Sequence, residues 1–207
     1  EVLEPGVLSM DHYRTFKPER DGREGYCENL AVMRKYSLEA GIPFWNFFNV
    51  MPYGPHTDPT EGQLRWQIYT SVAYGAKGVL YFCYYTPAGG EFPKGGAVIQ
   101  RDGRRTRHYY EAQRINAELK NLGPTLMQLT SAGVYRVSEE AGDKPEAVLN
   151  GTPIANITRA EYDPPHDYLV GVFRHADGRR AVLLNNYRFA YTAWPTVAFD
   201  VPAEQVL

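Results

Sequence analysis

The stretch "TEGQLRWQIYTSVAYGAKGVLYFCYYTP", residues 60–87, joins a helix signal to a strand signal. Thr60 and Gln63 have capping-box spacing, in which each residue's side chain satisfies the other's backbone N–H. Leu64, Ile68 and Val72 then recur at helical period, and Gly75 or Gly78 can end the helix before "VLYFCYY". The stretch therefore predicts a capped helix that hands the chain to a buried strand with an aromatic end. Along that strand Tyr81, Cys83 and Tyr85 point one way, and Leu80, Phe82 and Tyr84 the other.

Working outward, residues 7–10 read as a short buried strand that runs into a polar trio, Asp11, His12 and Tyr13. Residues 29–40 predict a helix with Leu30, Met33 and Ser37 on one face and Gly41 at the position that favours glycine. The run "IPFWNFFNV" predicts a second strand, apolar except for Asn46 and Asn49, and leads into the loop "MPYGPHTDPT". A third helix over 108–122 carries Ala112, Ile115, Leu119 and Leu122 on one face and ends at Gly123-Pro124. Strands alternating with helices over short loops argue for a parallel sheet with βαβ crossovers. After residue 129 the pattern changes to short strands, "AGVYRVS", "ANITRAEY", "YLVGVFRH", "RRAVLLNNYR" and "PTVAFDV", with turn signals such as Asp177-Gly178. The expected class is α/β, a parallel part over 1–129 followed by a small antiparallel β domain over 130–207. Three parallel strands leave both sheet edges open, so the chain reads as a slice of something larger, or as one that covers its edges as a homodimer or higher homo-oligomer.

Composition narrows the function classes. With 22 Lys+Arg against 24 Asp+Glu there is no basic footprint for nucleic acid or for an anionic membrane. No apolar run approaches the about 20 residues that span a bilayer, and "EVLEPGVLSMDHY" lacks the features of a signal peptide, which leaves the compartment open. Two cysteines, Cys27 and Cys83, make neither a disulfide framework nor a metal site, and no cofactor is expected. The chain is rich in aromatics, with 16 Tyr, 9 Phe and 3 Trp, a weighting suited to flat, hydroxyl-rich ligands. Sequons at Asn150 and Asn156 matter only in a eukaryotic secretory cell.

The segment "LRWQIYTSVAYGAKGVLYFCYY" resembles the last helix-strand unit of (β/α)8-barrel glycoside hydrolases, especially family 42 β-galactosidases and related bacterial glycosidase-like proteins. Leu64, Arg65, Trp66, Ala73, Gly75, Ala76 and Gly78 carry the match, and "LSMDHY" and "PFWNFFN" look like the sixth and seventh strands of such a barrel. The resemblance implies a partial, half TIM-type β/α barrel made of the last three strand-helix units, with the β module as the small sheet domain these enzymes often carry. It also implies that the fourth strand, which supplies the general acid/base in that clan, lies outside these residues. The clan's nucleophile is a Glu at the end of the seventh strand, where "PFWNFFN" offers Asn46 and Asn49 and no carboxylate.

Glycoside hydrolysis needs one carboxylic acid to protonate the leaving oxygen and a second to attack the sugar or activate water, about 5 to 9.5 Å away. Asp11, at a strand exit beside His12 and Tyr13, and Glu91, in the glycine-flanked loop "TPAGGEFPKGG", are the candidate catalytic carboxylates. The plainer readings are a turn cap for Asp11 and a solvated loop carboxylate for Glu91. Glu61, in the first turn of its helix, and Asp58 read as structural, and His108 as incidental. His12 and His56 fall at strand exits where they can grip sugar hydroxyls, without the carboxylate spacing of a metal site. Asn46 and Asn49 need partners in an apolar strand, either sugar hydroxyls or a buried network. Trp45 and Tyr85 can stack on the apolar face of a pyranose, or simply pack. Arg65 and Lys77 read as helix-surface charges. The function expected is a glycosidase acting on a carbohydrate substrate and releasing a terminal sugar such as galactose. Alternatives are a non-catalytic carbohydrate-binding protein, an inactive truncation of a larger glycosidase, or fucosidase, xylosidase or arabinosidase specificity.

Overall fold

The capping box at Thr60 forms: its Oγ1 accepts the Gln63 N–H at 3.2 Å, and Gln63 Oε1 accepts the Thr60 N–H at 2.9 Å. It opens α2 (Glu61–Ala73), which leads into β3 (Gly78–Phe82). The computed structural model describes residues 4–14, 16–17 and 22–200. Before α2 come β1 (Leu8–Asp11), α1 (Arg23–Ala40) and β2 (Phe44–Asn49). After β3 follow α3 (Arg107–Leu126), β4 (Leu129–Ser138), a short α4 (Pro145–Val148), β5 (Ile154–Thr158), β6 (Asp167–His175), β7 (Arg180–Asn186) and β8 (Thr196–Phe199).

β1, β2 and β3 form an open parallel sheet in sequential order, with Met10 opposite Asn46 and Asn46 opposite Val79. Alternation divides its faces. Leu8, Met10, Phe44, Phe48, Val79 and Tyr81 enter apolar clusters with the three helices. Ser9, Asp11, Trp45, Phe47, Leu80 and Phe82 fall on the other, open face. β3 stops at Phe82, so the alternation expected to run on through Tyr85 does not apply beyond it.

A second sheet, ordered β4-β6-β7 and antiparallel, lies against α2, and the β5–β8 pair covers its far side. β6 therefore has two buried faces. Leu169 joins Tyr26, Trp66 and Tyr187 in one cluster, while Tyr168, Val170 and Val172 join Val137, Ile154 and Ile157 in the other. Helix α2 is buried nearly all round, as a helix between two layers must be: Leu64 and Ile68 face the parallel sheet and Trp66 and Ala73 face the β module. The first cluster thus crosses the boundary at residue 129.

Two helix ends differ from expectation. α1 begins at Arg23, six residues before 29, because the fully buried Tyr26 docks on α2, where its hydroxyl donates to Gln67 O at 3.1 Å. α3 runs past Gly123-Pro124 to Leu126, since a proline near a helix end removes only one donor. Lys77, expected on the surface, is half-buried and donates to the carbonyls of Leu126 and Leu129, capping that end.

Candidate active site

Asp11 closes β1 on the open face and is exposed. Tyr13 follows it and packs on Phe82, the last residue of β3, with ring centroids 5.1 Å apart. The loop after β2 adds Tyr53, 6.1 Å from Tyr13 and 5.3 Å from Phe82, and His56, 4.7 Å from Tyr53. The loop after β3 adds Phe92, 5.4 Å from Tyr53. The result is an aromatic floor at the C-terminal edge of the sheet, assembled from the ends of all three strands. The Nδ1–H of His56 donates to Arg14 O at 3.1 Å, which fixes its ring.

Burial pushes the Tyr13 phenol up to about 12, and the charge of Asp11 adds to the shift. Tyr53 is raised further by burial, and then by Tyr13, Asp11 and Glu91, so both candidate carboxylates act on one phenol. Each hydroxyl therefore stays a donor at any working pH. Glu91 is exposed, in a loop organised by Arg101, whose guanidinium donates to Pro87 O at 2.9 Å and Phe92 O at 2.8 Å. Tyr53, Phe92 and Arg101 are functional candidates that local pattern did not single out; the only sequence signal was their place in loops that follow strands.

The other expected site residues are distributed differently. His12 turns toward α1, where its Nδ1 accepts from Asn29 Nδ2; that nitrogen's other hydrogen goes to Gly25 O at 2.9 Å, which sets the Nε2–H tautomer. Burial, with help from Arg14, lowers His12 to about 4, so it is neutral at pH 7. Asn46 lies among the helix-facing residues and donates to Tyr26 Oη at 2.6 Å and Ser71 Oγ at 2.9 Å, fully buried. Asn49 is also fully buried: its Oδ1 accepts the Met51 N–H at 3.1 Å, and its backbone pairs with the Gln67 side chain at 3.0 and 3.3 Å. Trp45 is on the open face but four residues before the strand end, roughly 13 Å away at the rise of a β-strand, where its ring covers Gly78. Tyr85 lies outside the aromatic floor, exposed, and donates to Arg101 O.

The polar residues read as structural or incidental prove to be tie points. Arg65 forks between Glu61 at 3.0 Å and Glu118 at 2.7 Å, and Arg114 reaches Glu61 at 2.6 Å, which locks α2 to α3. His108 is 1% exposed and lies between Glu111 at 2.6 Å and Asp58 at 2.9 Å. Among the described residues no group of three or more His, Cys, Asp or Glu side chains is arranged to hold a metal ion, and no helix is long and apolar enough to cross a membrane.

Comparison with known proteins follows the same residues. Residues 6–122 match the glycoside hydrolase family 42 model, described as beta-galactosidase. Among solved structures, the beta-galactosidase from the psychrophilic Marinomonas ef1 is similar at 20% identity and a TM-score of 0.44, over 60% of this chain and 22% of that one. This chain therefore corresponds to less than a quarter of that enzyme's length. No curated protein sequence matches. The family match covers more than half of the chain and includes all three parallel strands and the capped helix between them, so the chain belongs to glycoside hydrolase family 42.

Proposed function

We propose that the strand-end cluster is the working surface of a glycosidase that releases a terminal sugar, galactose from a β-galactoside. The observation that carries the reading is the aromatic floor that Tyr13, Tyr53, Phe82 and Phe92 build at the strand ends, with Asp11 closing β1 beside it and the charges of Asp11 and Glu91 both adding to the upward shift of Tyr53. One carboxyl would protonate the glycosidic oxygen while the other attacks the sugar or activates water. Tyr13 and Tyr53, which hold their protons, would donate to sugar hydroxyls, and their rings offer a stacking surface for the apolar face of a pyranose. In this reading the parallel sheet is the last three units of a β/α barrel. Its edges at β1 and β3 suit a homodimer or larger assembly, which light scattering would detect.

A second reading, a carbohydrate-binding domain without turnover, is favoured by one observation. The end of β2 holds the buried amide of Asn49 where the family resemblance implies a carboxylate.

The test is hydrolysis of p-nitrophenyl β-galactoside, β-glucoside, α-fucoside, β-xyloside and α-arabinoside by the wild type and by Asp11→Asn and Glu91→Gln. Turnover of the β-galactoside, reduced by about a thousandfold or more in either variant with circular dichroism unchanged, supports catalysis. Galactose binding without turnover supports the second reading. Neither binding nor turnover refutes both.

A further inference from the structure

Behind His56 lies an open pocket of about 570 Å³, whose lining includes Lys17, His56, Asp58, Lys94, Arg107 and His108. That volume is within the range of sites for sugar-sized ligands. His56 belongs to both places, since its ring lines the pocket and packs on Tyr53 in the aromatic floor. The far wall exists because of a glycine. Gly96 has φ +98°, and a Cβ there would meet Pro52 Cδ at 2.9 Å, so the loop after β3 closes on the loop after β2 only without a side chain.

The polar groups of the pocket divide into a wall in which Asp58 and Glu111 are engaged by Arg107 and His108, and two ammonium groups. Arg107 donates to Asp58 Oδ2 and Glu111 Oε1, both at 2.8 Å. The ring nitrogens of His108 face the remaining oxygens, Asp58 Oδ1 at 2.9 Å and Glu111 Oε2 at 2.6 Å. Both carboxylates are therefore engaged within the wall. Burial works against the Asp58 charge, but His108 and Arg107 outweigh it and hold the carboxyl below its ordinary range. No carboxylate among the described residues ion-pairs with Lys17 or Lys94, which reach the pocket from the loops after β1 and β3. A neutral sugar gains nothing from two ammonium groups lining one pocket, whereas an anion does.

We infer that this pocket is a subsite for an anionic substituent of the saccharide, a carboxylate or a sulfate ester, so that the substrate is an acidic glycoside. The inference rests on the glycosidase reading for the sugar, and on the pocket alone for the anion. Lysine is a point charge without a planar fork, and both terminal nitrogens of Arg107 are already engaged by Glu111, Asp58 and the Pro59 carbonyl, so planar carboxylate and tetrahedral sulfate share the same recognition by the two lysines.

The test is calorimetric titration at low ionic strength with galactose, galacturonate, galactose 6-sulfate and inorganic sulfate, using the wild type and the double variant Lys17→Ala, Lys94→Ala. The expected result is binding of one or both acidic sugars about tenfold tighter than galactose, a preference that the double variant and added salt both remove. Which acidic sugar is preferred identifies the substituent. If no sugar binds but inorganic sulfate does, and the double variant loses it, the anion subsite stands and the glycosidase reading falls. Acidic sugars bound no better than galactose, or a preference that survives the double variant, overturn the subsite, as does the absence of any sulfate binding when no sugar binds.

Discussion

Gly171→Ala tests whether the two sheets share a core through α2. A Cβ on Gly171 would meet Ala73 O at 2.6 Å, Phe173 Cε2 at 2.9 Å and Ala73 Cα at 3.0 Å. Two of these atoms are backbone, and the third belongs to a ring only 2% exposed, so no flexible chain end is available to give way. Ordinary carbon contacts are about 3.5 to 4.0 Å, so β6 and α2 must part by about 1 Å. That separation loosens Leu169 and Tyr187 against Trp66. Overpacking of this kind costs about 1–3 kcal/mol, a large share of the roughly 5–15 kcal/mol that holds a domain together. Gly25→Ala is the control of opposite sign. It lies in α1, where a Cβ would meet only Arg14 Nη1 at an ordinary 3.6 Å, and alanine there adds about 0.5–1 kcal/mol through helix propensity. Urea unfolding followed by circular dichroism and by tryptophan fluorescence should give one coincident transition, shifted down by the first substitution and up by the second. A Gly171→Ala midpoint equal to the wild type's, or two separated transitions, would refute the shared core.

Lys77→Ala removes the donor to the carbonyl of Leu126 at the end of α3 and to that of Leu129 at the start of β4, and should lower stability by about 1–3 kcal/mol in a thermal melt, with secondary structure retained below the transition. In a proton NMR titration His12 should change state near pH 4; a midpoint near its ordinary 6.5 would contradict its burial. Because the folded value is the depressed one, the unfolded chain binds more protons between about 4 and 6.5, so this residue's effect is to lower stability as pH falls through that window. Arg101→Ala releases the carbonyls of Pro87 and Phe92, and with them the loop that carries Glu91. It should reduce kcat/KM by roughly 10–100-fold through misplacement while leaving the urea midpoint unchanged, and an unaltered rate would remove Glu91 from the mechanism.

How much the sequence disclosed depended on the range of each interaction. The capping box of α2, Gly41 with φ +65° after α1, and the strands of the β module are set by neighbouring residues and were legible. The start of α1 was not, because Tyr26 is held by Gln67, Ser71 and Asn46, all distant in sequence. The end of α3 was misread for the same reason, as Lys77 supplies the cap from before β3. At the site, Asp11 and Tyr13 followed from the strand exit, whereas Tyr53 and Phe92 arrive from loops whose paths no periodicity encodes. Asn46 carried a usable signal: Phe44 and Phe48 on either side are core residues, and alternation puts Asn46 with them. His108 and Glu111 likewise have helical i, i+3 spacing, which marks a side-chain pair before any coordinates exist.

The aromatic floor takes one contribution from each strand exit, Tyr13 after β1, Tyr53 after β2 and Phe82 ending β3. The rings meet only if the three strands keep their register, and that register is set on the opposite face. There Phe44, Phe48, Val79 and Tyr81 pack against helices that Arg65, Glu61 and Glu118 hold together. The helix-facing half of each strand therefore fixes position, and the rings at the strand ends are held in place by that framework. This division explains why Trp45, on the open face but low on its strand, is remote from the floor, while Asp11, at the last strand position, lies beside it. It also separates the two kinds of damage: substitutions under the sheet should move stability, and substitutions at its C-terminal edge should move ligand binding and turnover.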